Sequence, residues 1–296
     1  MKAYHFSKDI KEGFLGFFND IILLNGFLCF DFEDSISLKE NKERLKEQNS
    51  HRDFLINEIE KLSNITLYNH IGFRINSVKS KIYKNDLNAL NALKEIHTVF
   101  IPKVEHKNDL IHVLNHLKLE VFEVIPIIET KEGFKNIEQI VSVTDYRFKS
   151  IAFGHCDYNF SLGHFPFYHQ NTSEYWDWVK YLNDNCIDKD LGLINSPVLE
   201  LNNYNLFYNN LIQCAGFSQI IGQITLCKSQ TRTCNSFQKE CDEIKNLEEF
   251  KSEKLDAKSL IYQYENNIIC GKTFAIDQNR TILSPQEYKA AKLKNT

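Results

Sequence analysis

Residues 121–128 read VFEVIPII, and the segment behind them, 129–142, reads ETKEGFKNIEQIVS. The first is an apolar, β-branched run of strand length that ends against a carboxylate, Glu129. The second spaces its apolar residues at helical intervals from about residue 133 onward. A strand that is apolar on both faces and is followed at once by a helix is the repeating unit of a parallel sheet. How often that unit recurs decides the fold.

It recurs eight times. The runs are KAYHF (2–6), GFLCFDF (26–32), HIGFRI (70–75), TVFIPK (98–103), VFEVIPII (121–128), SIAFG (150–154), PVLEL (197–201) and GQITLC (222–227). Helical periodicity fills the gaps around 8–23, 37–62, 85–94, 107–117, 133–142, 174–185, 204–214 and 231–248. Strand then helix, eight times over, predicts an α/β fold, a (β/α)8 TIM barrel. A doubly wound open sheet shares the alternation, and strand number alone does not show closure. The expected division is a barrel over 1–237 and a C-terminal helical segment over 238–296, outside the eight repeats, acting as a lid or an oligomer contact.

Composition narrows the function. The chain has 296 residues, 43% of them hydrophobic, enough for a large core. Its 35 basic and 39 acidic residues are mixed along the chain and give a net charge of −4. That offers no broad field for a polyanion, so no nucleic-acid partner is expected. No apolar stretch reaches membrane-spanning length and the first residues carry no signal-peptide pattern, so the expectation is a soluble cytoplasmic protein with no membrane partner. The eight cysteines form no CxxC pair and read as free thiols, including Cys227, Cys234 and Cys241 at seven-residue spacing.

Polar residues gather at the ends of the apolar runs: Glu33 and Asp34, Arg74 and Asn76, Lys103 and Glu105, Glu129, and Asp157. In a barrel these ends open onto the catalytic face. Glu129 and Asp157, on adjacent predicted strand ends, supply two hard oxygen ligands suited to Mg²⁺ or Mn²⁺, with waters and substrate completing the shell. Spacing alone leaves open that they are exposed loop carboxylates. Arg74 has the planar fork for a substrate carboxylate, or for an internal ion pair with Glu33, Asp34 or Glu105. Ser35 or Ser37 is a candidate helix cap. In FGHCDYN (153–159), His155 is an acid–base candidate or a packed ring, and Cys156 lacks an identifiable base. His112 and His116 share a helix face but lack the glutamate of a zinc motif.

The ordered series FDFEDS, FRIN, IPKVE, IIETKEGF and FGHCDYNFSLG resembles the citrate lyase β-subunit-like branch of the HpcH/HpaI aldolase family, over about residues 26–237. The resemblance implies a homo-oligomeric TIM barrel that makes or breaks carbon–carbon bonds through a metal-stabilised enolate, with Mg²⁺ as cofactor and Mn²⁺ as its substitute. It implies Glu129 and Asp157 as metal ligands and Arg74 on a substrate carboxylate or the enolate oxygen. Glu33, Asp34 and Glu105 would then order water around the metal; Lys103 and His155, at the same strand ends, are our own candidates for substrate contact. Three stretches depart from the family pattern: FSKDIKEG (6–13) in place of a Pro-Gly turn and arginine, CKSQ (227–230) in place of HPSQ, and Leu283 where an acidic residue stands in thioester-cleaving members. All three touch thioester chemistry. The expected substrate is therefore a small oxo- or hydroxy-acid, ahead of a CoA thioester of the citrate lyase type and ahead of a non-catalytic ligand-binding barrel.

Overall fold

In the computed structural model, which describes residues 1–7, 14–33, 41–62, 65–237, 255–269 and 273–295, eight strands close into a parallel barrel. They are β1 (Lys2–Ser7), β2 (Phe27–Asp31), β3 (Ile71–Arg74), β4 (Glu95–Ile101), β5 (Glu120–Ile128), β6 (Ser150–Phe153), β7 (Gly192–Asn195) and β8 (Ile220–Thr225). Each pairs with the next in chain order, and β1 closes the ring on β8 with Tyr4 opposite Ile224. Helices α1 (Phe14–Leu23), α2 (Asn41–Glu60), α3 (Tyr83–Leu90), α4 (Lys107–His116), α5 (Lys131–Lys135), α6 (Ile137–Val141), α7 (His155–Ser161), α8 (Ser173–Ile187), α9 (Tyr204–Ala215) and α10 (Lys228–Ser236) connect them or follow β8. Among the described residues no helix is long and apolar enough to cross a membrane.

Strand residues alternate between two apolar compartments, because successive side chains leave a strand on opposite faces. Tyr4, Cys29, Phe100, Ile125, Ile127, Ala152, Ile194 and Ile224 fill the barrel interior. Leu28, Phe30, Phe73, Val99, Val124, Ile128, Ile151 and Phe153 face the helices. The same alternation carried one step further turns Asp31, Arg74 and Glu129 inward at the C-terminal rim.

The seventh strand is GLIN, not the expected PVLEL. Gly192 fits where a Cβ would meet the Ile221 side chain at 2.3 Å. Residues 197–201 instead run past the strand end, and Glu200 forms an antiparallel bridge to Thr281. His155, Cys156 and Asp157 belong to the first turn of α7 rather than to a loop. The last barrel helix ends at Ser236 with Phe237 extended; residues 238–248 of the expected helix lie outside the described residues, as do residues 8–13 of FSKDIKEG, Asp34, Ser35, Ser37, Cys241 and Cys270.

The loop after β3 is held by a buried carboxylate. Asp86 accepts from Asn76 N (2.6 Å), Asn76 Nδ2 (2.8 Å) and Arg52 Nε (2.7 Å), and Asn76 Nδ2 also donates to Phe32 O (3.0 Å). The clamp ties α2 and α3 to the ends of β2 and β3, which carry site residues. Past the barrel come α11 (Ala257–Asn267), the hairpin β9 (Ala275–Ile276) and β10 (Ile282–Leu283), and α12 (Pro285–Asn295), which packs on α7. Leu201 N donates to Arg280 O (3.1 Å) and Ile282 N to Leu199 O (3.0 Å), stitching the hairpin to the segment after β7.

On β4, His97 is buried between the rings of Phe27 and Phe122, with centroids at 4.3 and 4.8 Å. Burial, with Lys2, His70 and Lys149 nearby, lowers its pKa to about 3. The unfolded chain therefore binds a proton near pH 6.5 that the folded chain refuses, and stability falls as pH drops below that value. Between pH 7 and pH 5 the wild type should lose about 1–2 kcal/mol more than His97→Asn. Urea denaturation of both proteins at the two pH values measures the difference; equal losses contradict it.

Candidate active site

Asp31 and Arg74 are direct neighbours in the β2–β3 ladder. Arg74 Nε and Nη2 donate to the two oxygens of Asp31 at 2.8 and 2.5 Å, a bidentate fork, while Nη1 lies 3.1 Å from Glu33 Oε2. Glu33 is tied in turn to Lys103, whose Nζ donates to Glu33 Oε1 at 2.8 Å and stands 3.6 Å from Asp157 Oδ1. The Lys103 backbone, held at a φ of 53°, donates its N–H to Glu129 Oε1 at 2.9 Å. Asp31, Glu33, Arg74, Lys103, Glu129 and Asp157 thus line one cavity at the C-terminal barrel face.

Glu129 approaches the chain closely at Gly154. A Cβ there would lie 2.4 Å from Glu129 Oε2 and 2.6 Å from its Cβ, so the glycine of FGHCD leaves the room that the carboxylate fills. Burial, then Asp157 and Glu33, push the Glu129 carboxyl well above the usual range. Burial also raises Glu33, against the pull of Arg74 and Lys103. For Lys103 burial opposes the charge, but Glu33, Asp157 and Glu129 outweigh it and hold the ammonium above the usual lysine range.

Four carboxylates (Asp31, Glu33, Glu129, Asp157) face two cations (Arg74, Lys103), a formal charge of −2 in a largely buried cluster. Such an excess takes up a proton or a cation. The donor set fits Mg²⁺, which takes one or two carboxylates and keeps its other positions for water and substrate. Among the described residues no group of three or more His, Cys, Asp or Glu side chains forms a protein-only metal cage. Glu129 and Asp157 are the pair that would hold the ion.

Other expected residues are placed differently. Glu105 does not line the cavity; it pairs with Lys79 at the surface. Asp34 lies outside the described residues. His112 and His116 sit on α4, outside the barrel, with His112 against the Tyr83 hydroxyl. His155 does line the cavity, but both ring nitrogens are engaged, Nδ1 with Ser196 Oγ at 2.6 Å and Nε2 with His169 Nδ1 at 2.9 Å. Burial, with His169 beside it, holds its pKa well below the usual value, so the ring is neutral. His169 lies 3.8 Å from Glu287 of α12, so His155 braces the cavity wall against the C-terminal segment. Cys156 lines the cavity with its thiol pushed up by burial, a protonated and weak nucleophile. In the run GFLCFDF, Asp31 reads only as a strand residue. The signal for it was the alternation of FLCFDFE (27–33), in which Cys29, Asp31 and Glu33 share one face.

Residues 25–173 match the family described as HpcH/HpaI aldolase/citrate lyase. No curated protein matches the chain. Among solved structures, RipC from Yersinia pestis is similar at a TM-score of 0.61 and 16% identity, over 80% of this chain and 96% of that one. The citrate lyase beta subunit from M. tuberculosis complexed with oxaloacetate and magnesium is similar at a TM-score of 0.60 and 15% identity, over 79% of this chain and 94% of that one. A citrate lyase from Burkholderia xenovorans LB400 reaches 0.67 at 12% identity, over 99% of this chain and 89% of that one. These likenesses establish the barrel as the fold they share. The family match covers the strands that carry Asp31, Arg74 and Glu129 and the turn that carries Asp157, and by it the chain belongs to the HpcH/HpaI aldolase/citrate lyase family, as a carbon–carbon bond lyase.

Proposed function

We propose that the protein is a Mg²⁺-dependent lyase or aldolase that cleaves or forms a carbon–carbon bond of an oxo- or hydroxy-acid. The observation that carries this reading is the meeting of Glu129 and Asp157 with Arg74 and Lys103 in one cavity of net negative charge. Similar structures from M. tuberculosis were solved with magnesium and oxaloacetate, acetoacetate or pyruvate, which supports the same ligand class here.

Cleaving the bond β to a carbonyl leaves its electron pair on the enolate oxygen. A divalent cation held by Glu129 and Asp157 would supply positive charge that polarises the carbonyl. Arg74 adds a second, fixed charge: the fork to Asp31 aims the guanidinium before substrate arrives, so little reorganisation accompanies reaction. Glu33 holds Arg74 and Lys103 in register from the other side. Lys103, kept protonated by its carboxylate neighbours, offers an ammonium to a substrate carboxylate.

The test is product release. A panel of 4-hydroxy-2-oxo acids and 3-hydroxy acids, incubated with the protein and Mg²⁺, should yield pyruvate or the matching short acid from at least one member. EDTA should abolish the release and added Mg²⁺ restore it. Release that is indifferent to EDTA, or none across the panel, counts against the reading.

A further inference from the structure

Among the described residues the cavity measures about 700 Å³, a volume typical of sites for drug-sized ligands rather than for three- or four-carbon acids. It is also two-sided. The carboxylate–cation cluster occupies the side built from β2 to β6 and the start of α7. The opposite wall comes from β1, α1, the segment after β7, the end of β8 and the C-terminal hairpin; Phe6, Phe17, Leu199, Leu226, Phe274 and Ile282 form an apolar stretch of it, with polar side chains such as Ser7 and Gln286 beside them.

Phe6 is the seam between the two sides. Its ring carries the Arg74 guanidinium 5.5 Å from the centroid and meets Phe100 edge-on at 5.0 Å. An acid group held near Arg74 therefore has its remaining chain directed along an apolar surface. That surface is built rather than incidental. Ile282 N donates to Leu199 O at 3.0 Å, joining hairpin and post-β7 segment. Leu226 N donates to Gln230 Oε1 at 2.9 Å, and Gln230 Nε2 donates to Val198 O at 3.0 Å, fixing the β8 end against the same segment. Of the two lysines on this side, Lys228 is paired with Asp20 and lies over the Phe17 ring, while Lys289 stands at the rim on α12.

We propose that the substrate carries, beyond its reacting acid end, an apolar arm (an alkyl chain or a phenyl ring) that packs against Phe6, Phe17, Leu199 and Leu226. The inference rests on the acid end binding at the cluster, as in the function proposed above. It makes the protein a lyase for arylalkyl or medium-chain oxo- or hydroxy-acids.

Calorimetric titration of the full chain with Mg²⁺ present tests it, using pyruvate, 2-oxobutanoate, 2-oxohexanoate, 2-oxooctanoate, phenylpyruvate and 2-oxoglutarate. The expected result is a Kd that falls roughly three- to fourfold per added methylene, with phenylpyruvate at least roughly tenfold tighter than pyruvate. Leu226→Asp should collapse the ratio between 2-oxooctanoate and pyruvate, and the wild-type series stands on its own if that variant does not fold. Mg²⁺-dependent binding that is flat or weakens with chain length overturns the apolar arm and leaves the proposed function in place. So does tighter binding of 2-oxoglutarate than of 2-oxohexanoate. If no member binds in a Mg²⁺-dependent way, the proposed function fails and the arm fails with it.

Discussion

Glu129→Gln and Asp157→Asn should each lower metal-dependent carbon–carbon cleavage on the order of 10³-fold, about 4 kcal/mol of transition-state stabilisation. The two variants should part company in stability. Glu129 is buried beside Asp157 and Glu33 and its carboxyl is pushed well up, so its charge costs the metal-free fold. The amide keeps the bond from Lys103 N and removes that cost, so metal-free Glu129→Gln should be more stable than wild type by about 1 kcal/mol at pH 7. The sign follows from linkage. A carboxyl whose pKa is raised on folding favours the fold below its unfolded value, and that contribution is lost as pH rises through the folded value. The advantage of Glu129→Gln should therefore shrink on acidification. Asp157 attracts Lys103 at 3.6 Å but repels Glu129, so Asp157→Asn exchanges a lost attraction for a relieved repulsion and its net stability change should be smaller than that of Glu129→Gln. Thermal melts with and without Mg²⁺, set beside kcat/KM, check both statements; equal metal-induced stabilisation in wild type and variants contradicts them.

Arg74→Ala should be the most damaging single change. Asp31 is fully buried and receives two of the guanidinium's hydrogen bonds. Removing one partner of such a pair leaves a buried charge and costs about 3–5 kcal/mol. Arg74→Lys separates chemistry from folding: a point charge remains for Asp31, but the planar fork that aims it is lost. For Arg74→Lys, kcat/KM should fall about 10²–10³-fold, with less than half the stability loss of the alanine variant in urea denaturation. Near-wild-type activity in Arg74→Lys would mean that the fork has no part in the reaction.

Much of this arrangement is written in local pattern. The run at 121–128 followed by helical spacing, repeated along the chain, specifies a parallel α/β fold, because parallel strands buried on both faces read as nearly continuous apolar runs, while closure into a barrel rests on the pairing of β1 with β8. Its strand ends then deliver Glu129, Arg74 and Lys103 to one rim. What the pattern hides is pairing across the barrel. Arg74 meets Asp31 because the β2–β3 register puts them side by side, and register is a property of two strands together. Glu105 follows Lys103 by two residues yet faces Lys79, since Lys103 takes a left-handed backbone turn that no composition signal marks. PVLEL has the residue types of a strand, whereas the strand is GLIN, where Gly192 packs closely on Ile221. FGHCDYN leaves His155 either an acid–base candidate or a packed ring, because its two ring partners, Ser196 and His169, lie 41 and 14 residues away. The apolar cavity wall was equally out of view, because the hairpin that completes it comes from the end of the chain.

Glu129 and Asp157 are proposed to hold a divalent ion against which an oxo-acid binds. Electron paramagnetic resonance titration with Mn²⁺, with and without a 2-oxo acid, measures this directly in wild type and in Glu129→Gln. The expected result is one Mn²⁺ site in the wild type that binds more tightly when the acid is present, by the same factor that Mn²⁺ tightens the acid, and loss of that site in Glu129→Gln. A wild type that binds no Mn²⁺, or a variant that binds it as well as the wild type, would contradict it.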